Sequence, residues 1–275
     1  MKIIYKLLFL FLLTIGYSSC DFLDIVPDEI TTEADAFKDR NAAKNFVYSC
    51  YGYLPQSNVA SGSLDLLTGD EVITAFEHET FASFPKGNYT ASSPVISYWN
   101  TFFQGLRQCY IFLENVDKVP DLTESVKTDY IAQVKFLIAY YHYQLARCYG
   151  PIILIKELPD VNASQAEYLP RTSYDECVDW ICNLLDEAAS SLPAIRTNKE
   201  DYGLATSVGA KAVKAKMLLY AASPLFNGNS SFYSNFTDKS GSQLMPLTYD
   251  PNKWVKAKSA IKEAIDLAEQ NGQAL

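Results

Sequence analysis

Residues 129–155 read DYIAQVKFLIAYYHYQLARCYGPIILI, and the reading of this stretch decides the fold. Ile131, Val134, Ile138, Tyr141, Leu145 and Cys148 recur at alternating steps of three and four, which places them on one face of a helix. The opposite face is hardly more polar: it carries Phe136, Ala139, Tyr140, Tyr143 and Ala146. Only Gln133, Lys135, His142, Gln144 and Arg147 interrupt the apolar surface. A helix that is apolar nearly all round has to be covered on several sides. From Tyr130 to Tyr149 it spans roughly 30 Å at 1.5 Å per residue. Gly150 supplies its C-terminal cap and Pro151 stops it. The stretch therefore predicts the central helix of an all-helical core.

Outward from this rod the chain keeps the same character. Thr32 opens a helix through Ala36, Ala43, Phe46, Val47 and Cys50, ending near Gly52 or Pro55. Ser97–Val119 is helical, with Tyr98, Phe102, Leu106, Cys109, Leu113 and Val116 three or four apart, and Pro120 breaks it. Asp121-Leu-Thr-Glu124 offers a capping start for the central helix or the turn before it. Ser173-Tyr-Asp-Glu176 is a capping box opening a helix through Leu185 to Pro193. Thr206–Ala222 follows, with small residues at Gly209, Ala210, Ala212 and Ala215 that let a neighbour approach closely. Asp250-Pro251 starts the last helix, through Trp254, Ala257, Ile261, Ala264, Ile265 and Ala268. Two polar-aromatic connections interrupt the series, at 56–94 and 225–249. Long irregular connections of this kind are usually functional. The paired helices are loosely tetratricopeptide-like, without a clean 34-residue period.

Composition narrows the function. Of 275 residues 48% are hydrophobic, enough for a full core, and Tyr, Phe and Trp number 19, 15 and 3. Exposed aromatic surface more often marks binding than catalysis. The net charge is −9 and the pI about 4.8, with no basic run, which excludes nucleic-acid binding. Residues 1–19 carry two lysines, an apolar run from Leu7 to Ile15 and then small residues: an export signal too short to span a bilayer. Residues 20–31 form a tether and 32–275 the helical domain. The five cysteines after Cys20 are odd in number and lack a CxxC spacing. They read as small buried hydrophobes rather than a zinc or redox site.

No catalytic constellation is legible. A glycosidase needs two carboxylates at a set separation, and no pair stands out. His78-Glu79 is not followed by a second histidine at metal spacing. His142, inside the central helix, reads as a satisfied core histidine. The expectation is a binding protein, not an enzyme, with no cofactor and no metal.

Several segments in order resemble the SusD/RagB family of outer-membrane nutrient-uptake lipoproteins. They are Cys20-Asp-Phe-Leu-Asp24 with Pro27, and Tyr98-Trp99 with its helix through Asn115. Phe136 to Leu145 with Tyr149-Gly-Pro151, and Pro170-Arg-Thr-Ser-Tyr-Asp175 through Leu192-Pro193, come next. Ala210-Lys-Ala, Leu218 to Asn227 and Trp254 close the series. The chain departs at Ile138, where the family usually has arginine, and at Ile15-Gly16-Tyr17, where a lipoprotein site prefers leucine. It also looks like only the N-terminal part of a family member, truncated at the C-terminus.

The resemblance implies an all-α, tetratricopeptide-like, SusD-like array with long irregular loops. It implies lipidation of Cys20, an outward-facing lipid anchor in the cell outer membrane, and a SusC-like TonB-dependent transporter as partner. The ligand would be a glycan. The alternatives are a peptide ligand in the same family or a helical-repeat interaction scaffold, with a glycoside hydrolase the least supported. Sugars present flat apolar faces rimmed by hydroxyls, so a binder sets aromatic platforms beside carboxylates and amides. In the family the connection between the first two helices contributes to the ligand site. The matching candidates here are Asp70, Glu71, Phe81, Phe84, Tyr89, Trp99 and Asn100.

Overall fold

The computed structural model describes residues 33–55, 69, 83–160, 162 and 169–273. Its contacts divide the chain into two units, Met1–Ala36 and Phe37–Leu275. Of the first, the single helical turn Glu33–Ala36 is described. The second is all-α. Its long helices are α1 Arg40–Tyr51, α2 Trp99–Asn115, α3 Glu124–Tyr149, α4 Tyr174–Ser191, α5 Ser207–Ala222 and α6 Asn252–Gln270. Each packs on the next in chain order, and α3 also touches α1 and α5. The result is a tetratricopeptide-like helical array. Among the described residues, β pairing amounts to isolated bridges at Thr90–Ser93 and Thr237–Gln243.

The rod predicted at mid-sequence is α3. Its buried positions include all six residues from Tyr141 to Ala146, so every face of that segment is covered. Gly150 caps it at φ +72°, where a side chain would be strained, and its N–H reaches the Ala146 carbonyl at 2.9 Å. The helix begins six residues earlier than Tyr130, at Glu124, because the Thr123 hydroxyl accepts the Val126 amide. Asp121 instead accepts the Arg40 amide at 2.7 Å, serving the start of α1.

Several polar groups inside the array are satisfied by partners on other elements. His142 is fully buried; its Nδ1 lies 2.8 Å from the Ile138 carbonyl and its Nε2 accepts the Ile155 amide at 3.1 Å. Burial lowers its pKa from 6.5 to about 4, so it is neutral at pH 7, the satisfied core histidine expected. The Tyr51 hydroxyl donates to Gln133 and accepts the Ala205 amide. Gln133 reaches Asp129, which takes a two-pronged contact from Arg196 at 2.8 and 2.9 Å. Arg196 also holds the Ala205 carbonyl. This chain of bonds ties α1, α3 and the entry to α5 together.

Four expectations change. The helix expected from Thr32 breaks between Phe37 and Asp39. Asp39 is extended (φ −155°) and its carboxylate caps α1 by accepting the Asn41 and Ala42 amides. Ser173 makes no capping bond; the first amide of α4, that of Tyr174, goes to the distant Leu244 carbonyl. Cys148 is exposed, whereas Cys50, Cys109, Cys177 and Cys182 are buried. On α6 the packed face is the alanine stripe Ala257, Ala260 and Ala264. The larger Trp254, Val255 and Ile265 remain exposed.

Candidate functional site

The connection between α1 and α2 is described at 52–55, at 69 and continuously from Ser83. Ser83–Lys86 forms one helical turn, closed by Gly87 at φ +67°, whose N–H reaches the Phe84 carbonyl. Asn88 returns its N–H to the Ser83 carbonyl, and Thr90 and Ser93 exchange backbone bonds. The turn sets the rings of Phe84 and Tyr89 5.3 Å apart at 58°. Phe84 is half-buried and Tyr89 is 51% exposed. A ring braced from behind by another ring, with half its surface in solvent, is what stacking against a sugar requires.

Trp99 opens α2 and is half-buried. Its ring meets Tyr149 edge-on at 5.2 Å and Phe103 at 4.9 Å. The Arg171 guanidinium lies over it at 5.6 Å. Arg171 is itself anchored, donating to the carbonyls of Tyr149 and Pro151 at 3.2 and 2.8 Å. The Tyr149 hydroxyl in turn accepts the Tyr98 amide at 2.9 Å. Trp99 is thus clamped between the end of α3 and the segment leading into α4, and Asn100 next to it is exposed. The described contacts form two groups, Phe84 with Tyr89 and Trp99 with its clamp. Asp70, Glu71, Phe81 and Cys20 lie outside the described residues.

The sequence does not single out Tyr149 and Arg171 as ligand-site residues. The signal available for them was their place in the Tyr149-Gly-Pro151 and Pro170-Arg171 motifs, which mark turns rather than a ligand site.

Against known proteins, residues 21–219 match a SusD-like family described as starch-binding and associating with the outer membrane. The chain belongs to the SusD-like family. A SusD-like protein, P25, from Formosa agariphila is 23% identical over 79% of this chain and 43% of its own length. The solved structure of BT4246 is 35% identical, covers 86% of this chain and 41% of its own, and superposes with a TM-score of 0.79. A SusD-like protein from Bacteroides fragilis, BF3747, is 26% identical over 71% of this chain and 37% of its own, with a TM-score of 0.58. The chain spans about two-fifths of the length of these SusD-like relatives.

A groove of about 830 Å³ runs elsewhere, along the seam of α4, α5 and α6. Lys211, one of its lining residues, is paired with Asp186 and Glu263, and none of its lining side chains is aromatic. It offers no stacking platform for a sugar. Among the described residues no cluster of His, Cys, Asp and Glu could hold a metal ion, and no helix is long and apolar enough to cross a membrane.

Proposed function

We propose that this SusD-like chain is a surface glycan-binding lipoprotein. It captures oligosaccharide through the α1–α2 connection and delivers it to a SusC-like TonB-dependent transporter. The observation that carries this reading is the Phe84–Tyr89 pair: two rings fixed by a tight turn, one of them half in solvent. They lie in the segment that precedes Trp99, inside the region matching a family described as starch-binding. Exposed Asn100 adds an amide able to bond sugar hydroxyls. Asp70, Glu71 and Phe81 are assigned to the same site from the sequence. Trp99 contributes by fixing the base of the connection, with Arg171 and Tyr149 holding its ring.

Lipid on Cys20 would hold the protein to the outer membrane, since several acyl chains on one residue anchor stably where one does not. Incorporation of radiolabelled palmitate, lost in Cys20→Ala, tests the anchor; an unlabelled protein rejects it. Affinity electrophoresis against a panel of soluble glycans, starch among them, tests the ligand. Retardation in at least one glycan gel, weakened by Tyr89→Ala, supports the reading. Migration unaffected by every glycan, with capture of a peptide instead, assigns the peptide ligand.

A further inference from the structure

Cys50 is the penultimate residue of α1 and Cys109 lies on α2. Both are fully buried, and burial, together with Cys50 as the neighbouring group, raises the pKa of the Cys109 thiol. The backbones come unusually close here. One turn before Cys109 stands Gly105, where an added Cβ would lie 3.0 Å from the Tyr53 Cβ and 3.0 Å from the Tyr141 ring. Tyr53 is three residues beyond Cys50, and the Tyr141 hydroxyl holds the Cys50 carbonyl. Glycine therefore sets the helix approach, and with Phe46 meeting Phe112 at 6.2 Å on the other side, the antiparallel register brings Cys50 level with Cys109. The other described cysteines are placed differently: Cys177 points at the Ile152 and Thr172 carbonyls, and Cys148 is exposed.

We propose that Cys50 and Cys109 form a disulfide when the chain folds under oxidising conditions, tying α1 to α2. The oxidant is a disulfide, either glutathione disulfide or an exposed disulfide of a thiol oxidoreductase. One cysteine thiolate attacks it and displaces a thiolate, giving a mixed disulfide; the second cysteine thiolate then displaces the other half. The two cysteines give up two protons and two electrons, and the carrier leaves as two thiols. Burial pushes the Cys109 thiol well above its ordinary range, so the exchange takes place before α1 and α2 finish packing. The loop so closed contains every candidate ligand residue from Asp70 to Asn100. The bond would fix both ends of the segment that carries the proposed site.

The full chain, carrying Cys148→Ser to remove the exposed thiol, is refolded in a buffer of reduced and oxidised glutathione, alkylated and digested without reduction. The expected product is a single crosslinked pair of peptides holding Cys50 and Cys109. The oxidised chain should melt roughly 10 °C above its reduced form, as closing a loop of this length predicts. Recovery of both peptides alkylated, or pairing of either cysteine with Cys20, Cys177 or Cys182, overturns the proposal; a Cys50–Cys109 crosslink with no rise in melting temperature overturns its role in tying α1 to α2. The peptide map needs no variant at position 50 or 109, so a folding defect there cannot obscure the result. It reads no glycan binding, so it stands apart from the ligand assignment.

Discussion

Tyr141 and Tyr89 are the same residue in two settings. Tyr141 lies in the stack around α3, with no exposed surface and its hydroxyl on the Cys50 carbonyl. Tyr89 lies in the turn before α2, half in solvent, braced by the ring of Phe84. The stack repeats the first arrangement: the Tyr110 hydroxyl donates to the Ile155 carbonyl, and that of Tyr51 bridges Gln133 and Ala205. Burying a tyrosine needs a partner for its hydroxyl, so buried tyrosines hold elements in register. A tyrosine whose ring is fixed but left wet is free to stack on something else. Aromatic content alone does not separate the two uses; the fate of the ring face and of the hydroxyl does. If this contrast is right, changes in the stack should cost stability and changes in the turn should cost affinity.

The largest effect is expected at His142. Its folded pKa, near 4, lies below the ordinary 6.5, so between those values the unfolded chain binds a proton that the folded chain does not. Its contribution to stability is intact above about pH 6.5 and is lost as pH falls toward 4, by about 3 kcal/mol in total. Urea midpoints across pH 4–7 should trace that loss, and His142→Gln should flatten the profile in this window. A wild-type profile as flat as the variant's would mean that the histidine is not sealed in the stack.

Slightly smaller is the cost of Asp129→Ala. It leaves the Arg196 guanidinium and the Gln133 amide without their shared carboxylate in a mostly buried site. An orphaned charge of this kind costs about 2–3 kcal/mol once the partial exposure of the pair is allowed for. Denaturant titration reads it, and glycan affinity of the folded protein should not change.

Trp99 and Tyr89 test the boundary between the two regions. Trp99→Ala removes a half-buried ring from its clamp and should lower stability by about 2 kcal/mol, with affinity falling as the connection loosens. Tyr89→Ala should leave the melting temperature in place and weaken glycan binding about tenfold, the loss of one stacking surface worth about 1.4 kcal/mol. Calorimetric titration paired with thermal melts separates them. Stability loss in Tyr89→Ala with affinity preserved would move that ring from the binding surface to the scaffold.

The rod and its jacket were legible because helical period, glycine caps and proline stops are local signals. α4, α5 and α6 lie within a few residues of their expected bounds for that reason, and α3 ends at Tyr149 as expected. Features set by distant partners were not legible. Nothing near Ser173 says that Leu244 will take the Tyr174 amide, nor does Asp121 show in sequence that it will serve Arg40. The break at Asp39 was hidden because Lys38-Asp39-Arg40-Asn41 reads as a polar helix face until the carboxylate folds back on its own chain. In the candidate site, the aromatic composition of the connection was visible. The clamp on Trp99 was not, since Arg171 reaches it only through the fold.

The smallest change tests the rule about hydroxyls from the opposite side. Tyr174 is fully buried, its ring stacked on Phe226 at 4.8 Å and 8°, yet its hydroxyl has no hydrogen-bond partner among the described residues. Burial accordingly drives its pKa up. If hydroxyl bonding is what lets a tyrosine stabilise the stack, Tyr174→Phe removes an unsatisfied group without disturbing the stacked ring. It should then be neutral or stabilising by up to about 1 kcal/mol. Tyr141→Phe, by contrast, leaves the Cys50 carbonyl without its donor and should cost about 1 kcal/mol or more. Opposite signs for two buried Tyr→Phe changes in one denaturation series would show that the stack is held by its bonded hydroxyls as well as its rings. Equal losses at both would assign the work to packing alone.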